Sequence, residues 1–209
     1  MCVILVCPKK VRPDRKTLEA CHRANPHGAG VAWRENDEVR WLKGLDVAEL
    51  AARVRQLPGE IVLHFRIASV GEVTPALCHP FPVSAKSTTR LSGHARAVVF
   101  HNGTWPRWHA CLASLPHHLR PEGPMSDTRV AALLVNRFGP EVLGRLPGRW
   151  VFFERDFTLL HGEWRKWRGM RASNLFFLNA LPSFAPRSTQ SAYGQRLLDF
   201  ADDDGTWNP

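Results

Sequence analysis

The second residue of the chain, Cys2, combines a nucleophile with a base. The initiator methionine is normally removed when the next residue is as small as cysteine, and its removal would leave Cys2 with both a thiol and a free α-amino group. An α-amine titrates at about 7.7–8.0, so it can accept a proton at neutral pH beside its own nucleophile. Taken alone, Cys2 is better explained as an ordinary residue at the start of a buried strand.

Further polar segments follow Cys2 in a fixed order. They are His27-Gly28-Ala29-Gly30-Val31-Ala32, His64-Phe65-Arg66-Ile67-Ala68-Ser69-Val70-Gly71, His101-Asn102-Gly103-Thr104 and Ser126-Asp127-Thr128. Together with Met1-Cys2-Val3-Ile4, this ordered set resembles the class II glutamine amidotransferases, a family of N-terminal nucleophile hydrolases. Two more pairs of segments resemble the small stand-alone glutaminase-like members of bacteria and phages: Gly71-Glu72-Val73-Thr74 with Cys78-His79-Pro80-Phe81, and Gly162-Glu163-Trp164 with Ser173-Asn174. Each fragment alone is weak, and the order of the set makes it specific.

The resemblance implies a catalytic set for hydrolysis of the glutamine side-chain amide. Cys2 would attack the amide carbon to form a thioester, while its α-amine carries the proton. The side-chain amide of Asn102 and the backbone N–H of Gly103 would bind the oxyanion of the tetrahedral intermediate. Read locally, Asn102-Gly103 is also the commonest dipeptide of a hairpin turn.

The resemblance also implies a substrate-binding set. Arg66 would bind the α-carboxylate of the substrate, because a guanidinium fork suits a carboxylate, and Asp127 would bind the α-ammonium. Ser69 would assist at the carboxylate. The local alternatives are a structural ion pair for Arg66 and a helix cap for Asp127.

Three function hypotheses follow. The first is a glutaminase of the amidotransferase type; 209 residues leave no room for a synthetase domain, so its ammonia would pass to a separate acceptor enzyme. The second is an amidohydrolase acting on a γ-glutamyl or other amide, because His27, Ile67 and Val70 differ from the residues usual in larger family members. The third is a catalytically inactive basic scaffold for nucleic acid or an acidic partner protein, whose binding would fall steeply with salt and survive Cys2→Ala.

The basic excess is the observation behind the third hypothesis. The chain has 28 Lys and Arg against 19 Asp and Glu, a net charge of +9, and four of the acidic residues lie after position 198. Aromatic residues alternate with cations in 164–171, which would suit single-stranded nucleic acid, and a second basic run covers 9–16. Solvated loops or hairpin edges account for both segments, and neither matches a compact nucleic-acid-binding module. A nucleic-acid partner is therefore not expected.

Composition indicates a soluble protein in a reducing compartment, the cytoplasm. Hydrophobic residues make up 44% of the chain, yet no apolar run approaches the roughly 20 residues that cross a bilayer. Export is not expected, because the apolar stretch at 2–6 is short and has no basic segment before it. The five cysteines are therefore expected to be free thiols. No metal is expected, because no cysteine or histidine pair has chelating spacing, and no organic cofactor is expected, because no dinucleotide or phosphate-binding fingerprint occurs.

The pattern of elements predicts an α+β fold. The resemblance implies its layering, a four-layer αββα sandwich of two antiparallel sheets, and spans residues 1–178, with a peripheral tail over 179–209 that holds a short helix near 191–201. Predicted strands cover 2–6, 28–33, 38–43, 61–67, 97–101, 150–153, 158–161 and 174–178, and predicted helices cover 14–24 and 47–56 and begin at Ser126-Asp127.

Overall fold

The computed structural model describes residues 1–69 and 71–181, so the predicted helix near 191–201 lies outside the described residues. The strands are β1 Val3–Cys7, β2 Ala29–Glu35, β3 Glu38–Leu45, β4 Ile61–Phe65, β5 Phe81–Pro82, β6 Ser92–Ala95, β7 Ala97–Asn102, β8 Arg149–Glu154, β9 Thr158–His161, β10 Arg165–Trp167 and β11 Met170–Ala172. The α-helices are α1 Arg15–Ala24, α2 Val47–Val54, α3 Trp108–Ser114 and α4 Asp127–Phe138. Within the two described ranges, no helix is both long and apolar enough to span a membrane.

The strands form two antiparallel sheets. The larger has seven strands in the order β10-β11-β1-β4-β2-β3-β6, and the smaller has four in the order β5-β7-β8-β9. Helices α1 and α2 pack on the outer face of the larger sheet, and α3 and α4 pack on the outer face of the smaller one. The expected α+β class with four αββα layers is confirmed.

Three apolar layers hold the sandwich together, and β1 shows how its sequence serves two of them. Its side chains point alternately to opposite faces of the sheet. Val3 and Leu5 pack toward α1 and α2, whereas Ile4 and Val6 pack between the sheets. All five residues of β1 are buried, so the strand is a continuous apolar run rather than an alternating one.

The ends of several elements follow from local hydrogen bonds. Asp14 caps α1 by accepting a hydrogen bond from the N–H of Thr17 at 2.8 Å. Asn36 and Asp37, both with positive φ, form the two-residue turn between β2 and β3. These elements agree with the sequence prediction to within two residues.

The strand predicted over 174–178 is wrong. Residues Phe176–Ala180 form a 3₁₀ helix instead. The Asn174 side chain accepts a hydrogen bond from the backbone N–H of Phe176 at 3.1 Å, and this local contact begins a turn. Phe177 is then fully buried against α1 and the larger sheet.

The basic aromatic segment at 164–171 forms a hairpin at the edge of the larger sheet. Strands β10 and β11 pair there, and Arg168-Gly169 makes the turn with positive φ at both residues. Trp167 packs edge-on against Phe177, with ring centroids 5.1 Å apart. The structure therefore agrees with a hairpin edge, an element that the sequence pattern did not delimit.

Gly30 in β2 packs directly against the backbone of the loop that carries His79. A Cβ atom at this position would overlap the backbone carbonyl of His79 and lie 3.1 Å from the carbonyl oxygen of Leu42. We expect Gly30→Ala to lower the free energy of unfolding by about 1–3 kcal/mol, because backbone rather than a flexible side chain must move. Urea denaturation measures the loss.

The matched control is Gly144→Ala. Its Cβ would meet only the imidazole of His161, at 3.2 Å, and that ring can shift. An equal loss of stability in both variants would contradict the prediction.

Candidate active site

Pairing between β1 and β4 places two of the predicted site residues side by side. Val3 is opposite Phe65 in the antiparallel register, so Cys2 and Arg66 both lie just beyond this pair. The Sγ atom of Cys2 accepts a hydrogen bond from the backbone N–H of Ile67 at 3.4 Å. The nucleophile candidate is thus anchored to the segment that follows β4.

A single hydroxyl connects this edge of the larger sheet to the smaller one. Ser173 Oγ accepts hydrogen bonds from the backbone N–H of Ile4 at 2.9 Å and from Nδ2 of Asn102, the last residue of β7, at 2.8 Å. The next residue, Asn174, donates from Nδ2 to the carbonyl oxygen of Cys2 at 2.7 Å. The start of β1 and the end of β7 are therefore held together.

Gly103 follows β7 at a position that admits no side chain. A Cβ atom there would lie 2.9 Å from the Cα of Gly148 and 2.8 Å from Nε2 of His101. The chain continues from Asn102-Gly103 toward α3 rather than back into a neighbouring strand. The structure therefore does not use this dipeptide as a hairpin turn, and glycine allows close packing of two backbone segments.

Helix α4 presents Asp127 at its first position. Ser126 is the N-cap and accepts from the N–H of Arg129, so Asp127 is not the capping residue. Its carboxylate instead accepts from the backbone N–H of Trp105 at 3.0 Å and of Thr128 at 2.7 Å. Burial opposes its charge, but contacts from His101 and these two amides outweigh burial and lower the pKa of Asp127.

The structure brings five of the six predicted site residues around one narrow pocket. Its lining includes Cys2, Arg66, Ser69, Gly103 and Asp127. The sixth, Asn102, is fully buried beside Gly103. Its Oδ1 has no hydrogen-bond partner among the described residues.

Ser69 and Arg66 have different settings at this pocket. The exposed hydroxyl of Ser69 lies 3.1 Å from that of Thr104, across from the end of β7. The guanidinium of Arg66 is buried, and its Nη2 donates to the carbonyl oxygen of Glu72 at 2.8 Å. This contact fixes a permanent positive charge at the pocket wall.

The thiol of Cys2 is largely enclosed. Burial raises its pKa above the ordinary value, against the lowering effects of the Ile67 N–H, the amino terminus and Arg66. At neutral pH the thiol therefore keeps its proton unless a base removes it. A neighbouring α-amine is one such base.

Comparison with known proteins places the fold. No protein-family model and no curated protein matches the chain in sequence. The solved structure of glutamine phosphoribosylpyrophosphate (PRPP) amidotransferase from B. subtilis, complexed with ADP and GMP, matches with a TM-score of 0.62 at 15% identity, covering 87% of this chain and 43% of that chain. The structure of the allosteric regulatory enzyme of purine biosynthesis matches with a TM-score of 0.51 at 20% identity, covering 77% of this chain and 35% of that chain.

The chain has the fold of the N-terminal nucleophile hydrolases. It spans less than half the length of either structure that it matches. At these identities the comparisons show the fold alone. The sequence resemblance to the class II glutamine amidotransferases is confirmed at the level of the fold.

Three buried histidines lie at the pocket of this N-terminal nucleophile hydrolase fold: His79 and His101 are part of its lining, and His64 packs against His79. The sequence prediction gave none of them a catalytic or binding role. His64 and His79 stack with ring centroids 4.0 Å apart, and the backbone N–H of His101 donates to Nδ1 of His79 at 3.3 Å. Single histidines in strands or loops carry no local signal of function. His101 is the exception, because its position directly before Asn102-Gly103 indicates that it lies near the predicted oxyanion site.

Burial sets the charge of two of these histidines, His64 and His79. Burial, reinforced by nearby Arg66 and His101, lowers the pKa of His64 to about 3, and burial lowers the pKa of His79 well below its ordinary value. Both rings are therefore neutral at pH 7. Within the described ranges, no group of three or more His, Cys, Asp or Glu side chains is arranged to hold a metal ion.

The neutral histidines predict acid sensitivity of the fold. The ordinary histidine pKa of 6.5 applies to the unfolded chain, so between pH 6.5 and about 3 the unfolded state binds a proton that folded His64 does not. Stability is then fully present above pH 6.5 and falls as the pH is lowered, by about 1.4 kcal/mol per pH unit for each such group. We expect His64→Phe to reduce the dependence of the free energy of unfolding on pH by up to the contribution of one histidine, about 1.4 kcal/mol per pH unit.

Urea denaturation at pH 7, 6, 5 and 4 measures the slope. The matched control is His117→Phe, because His117 is exposed and its substitution should leave the slope unchanged. Identical pH profiles for wild type and His64→Phe would contradict the assignment of His64 as a buried neutral group.

Proposed function

We propose that the protein hydrolyses the side-chain amide of glutamine through a thioester on Cys2. The observation that carries this proposal is the convergence of Cys2, Arg66, Gly103 and Asp127 on one pocket. A site that hydrolyses the side-chain amide of an amino acid needs a thiol to attack the amide carbon and a backbone donor to bind the oxyanion. It also needs a cation for the α-carboxylate and a carboxylate for the α-ammonium. The fold shared with the PRPP amidotransferase structure supports the proposal.

The first half of the reaction forms the thioester. With Met1 removed, the α-amine of Cys2 accepts the thiol proton and Sγ attacks the amide carbon. The oxyanion is stabilised by the N–H of Gly103 and by the Asn102 amide, which has a second N–H beyond the one bonded to Ser173. The C–N bond then breaks as the ammonium form of the amine returns its proton to the amide nitrogen, which leaves as ammonia.

The second half regenerates the thiol. The α-amine accepts a proton from water, and the hydroxide adds to the thioester carbonyl. The C–S bond then breaks to release glutamate, and the ammonium returns its proton to the departing thiolate, which restores the Cys2 thiol. During both halves, Arg66 binds the α-carboxylate and Asp127 binds the α-ammonium, so that the scissile carbon stays at Sγ. Ser69 assists at the carboxylate. We expect the ammonia to be received by a separate acceptor enzyme.

Removal of the nucleophile tests the mechanism. We expect Cys2→Ala to lower the rate of ammonia release from L-glutamine by at least about 10³-fold, because Cys2 is the thiol among the described residues that line the pocket. The assay couples ammonia release to a dehydrogenase. Intact-mass analysis first checks that Met1 is absent, since a retained methionine would convert the catalytic amine into an amide.

The matched control is Cys111→Ala, a half-buried thiol on α3 outside the pocket, which should keep full activity. A glutamine-directed diazo-ketone should add one label to the wild-type protein and none to Cys2→Ala. Wild-type turnover in the Cys2→Ala variant would refute the mechanism.

A second candidate substrate is a γ-glutamyl amide with a large substituent on its nitrogen. A cavity of about 520 Å³ adjoins the pocket and shares Ser69 and Leu77 with it. The other lining residues are mostly apolar: Gly71, Glu72, Pro106, Trp108, His109, Pro124 and Met125. Free glutamine would leave this space unfilled, whereas an aromatic amide would occupy it.

Narrowing the adjoining cavity distinguishes the two substrates. If γ-glutamyl amides are used, Met125→Phe should lower kcat/KM for γ-glutamyl-p-nitroanilide by about tenfold and leave kcat/KM for glutamine unchanged, because Met125 lines only the larger cavity. Failure of the wild-type protein to hydrolyse the anilide would exclude this second candidate. Steady-state kinetics with both substrates give the answer.

A further inference from the structure

His101, the penultimate residue of β7, lies between two groups that only accept hydrogen bonds. Its Nδ1 is 3.5 Å from Oδ2 of Asp127, and its Nε2 is 3.1 Å from the carbonyl oxygen of Pro147. A neutral imidazole has a hydrogen on one nitrogen and a lone pair on the other. A neutral ring would therefore point a lone pair toward one of these oxygens, whereas an imidazolium donates to the Pro147 carbonyl and faces the Asp127 carboxylate with its positive charge.

The remaining surroundings of the ring favour a cation. The imidazole stacks on the indole of Trp150, with centroids 3.7 Å apart and planes 4° from parallel, and an indole face attracts positive charge. The carboxylate of Asp127 supplies the opposite charge. Of the basic groups nearby, His64 and His79 are neutral through burial, which leaves Arg66 as the charge that opposes an imidazolium.

The same ring contacts the backbone behind the glycine of the pocket. A Cβ atom on Gly103 would lie 2.8 Å from Nε2 of His101 and 2.9 Å from the Cα of Gly148. Pro147, which accepts from this Nε2, immediately precedes Gly148 and also accepts from the indole N–H of Trp150 at 3.1 Å. The Pro147-Gly148 turn that supports Gly103 is thus tied to His101.

We propose that His101 is an imidazolium that positions Asp127 through Nδ1 and the Pro147-Gly148 support of Gly103 through Nε2. It is a positioning residue that couples the binding site of the α-ammonium to that of the oxyanion. The coupling of the two functions rests on the proposed glutaminase activity. The protonation of the ring and its two contacts do not.

The protonation state is measured directly by nitrogen NMR of the protein labelled with ¹⁵N-histidine, with His101 assigned by the signals lost in His101→Asn. We expect both ring nitrogens to resonate as protonated nitrogens at pH 7. Asp127→Asn, which removes the opposing charge, should convert one of them to an unprotonated nitrogen. An unprotonated nitrogen in wild-type His101 at pH 7 overturns the proposal, whether or not the protein hydrolyses glutamine.

Two isosteric substitutions separate the two contacts. The amide nitrogen of asparagine is as many bonds from Cα as Nδ1, and that of glutamine as many as Nε2. His101→Asn keeps the donor to Asp127, so it should lower kcat by about 10- to 100-fold and change KM little. His101→Gln keeps the donor to Pro147, so it should raise KM for glutamine by about tenfold with a smaller effect on kcat.

The chemical shifts of the backbone amides test the same separation of the Asp127 and Pro147 contacts without an activity assay. His101→Gln should displace the signal of Trp105, whose N–H donates to Asp127, and His101→Asn should displace that of Gly148. The control is His94→Asn, an exposed histidine on β6, which should change neither spectrum nor kinetics. Equal effects of both His101 variants on kcat and KM, or on both amides, would overturn the positioning role.

Discussion

The hydroxyl of Ser173 joins the two sheets where the site is built. It accepts from the backbone of Ile4 in β1 and from the side chain of Asn102 at the end of β7. Cys2 precedes the first of these strands and Gly103 follows the second, so this hydroxyl helps to set the separation between the thiol and the glycine. Both donors are buried, and an unpaired buried donor costs about 1–3 kcal/mol. The site geometry is thereby part of the stability of the sandwich.

Burial shapes the chemistry of the pocket in two opposite ways. It raises the pKa of the Cys2 thiol, which makes a base necessary, and it keeps His64 and His79 neutral, which removes two competing positive charges. Arg66 then remains as a permanent cation beside an enclosed pocket, where a carboxylate is attracted more strongly than in water. The low dielectric constant of the enclosed pocket strengthens the attraction between Arg66 and a carboxylate, because the neutral His64 and His79 add no positive charge to compete with it.

Local sequence patterns predicted the elements that carry the site but not the contacts between them. The apolar run of β1 and the Asp14 cap of α1 have local causes, so the local sequence predicts both. The turn after Asn174 differs from the predicted strand because an apolar run of four residues is compatible with a strand and with a helical turn equally well. The pairing of Asn102 with Ser173 spans 71 positions and has no local signature. The order of motifs predicted residues that the fold brings to one pocket, whereas the contacts that support those residues are visible only in the fold.

The positive charge of the chain has structural uses that composition alone does not reveal. Buried Arg129 donates to the carbonyl oxygens of Ser87, Glu122 and Pro124, and Arg12 donates to those of Val54, Leu57 and Gly59. A guanidinium offers five donors and therefore ties several loop carbonyls together at once. Guanidinium groups whose donors bind backbone carbonyls inside the protein do not bind a polyanion at its surface. The basic excess is thus a weak argument for a nucleic-acid partner, because part of it holds irregular backbone in place.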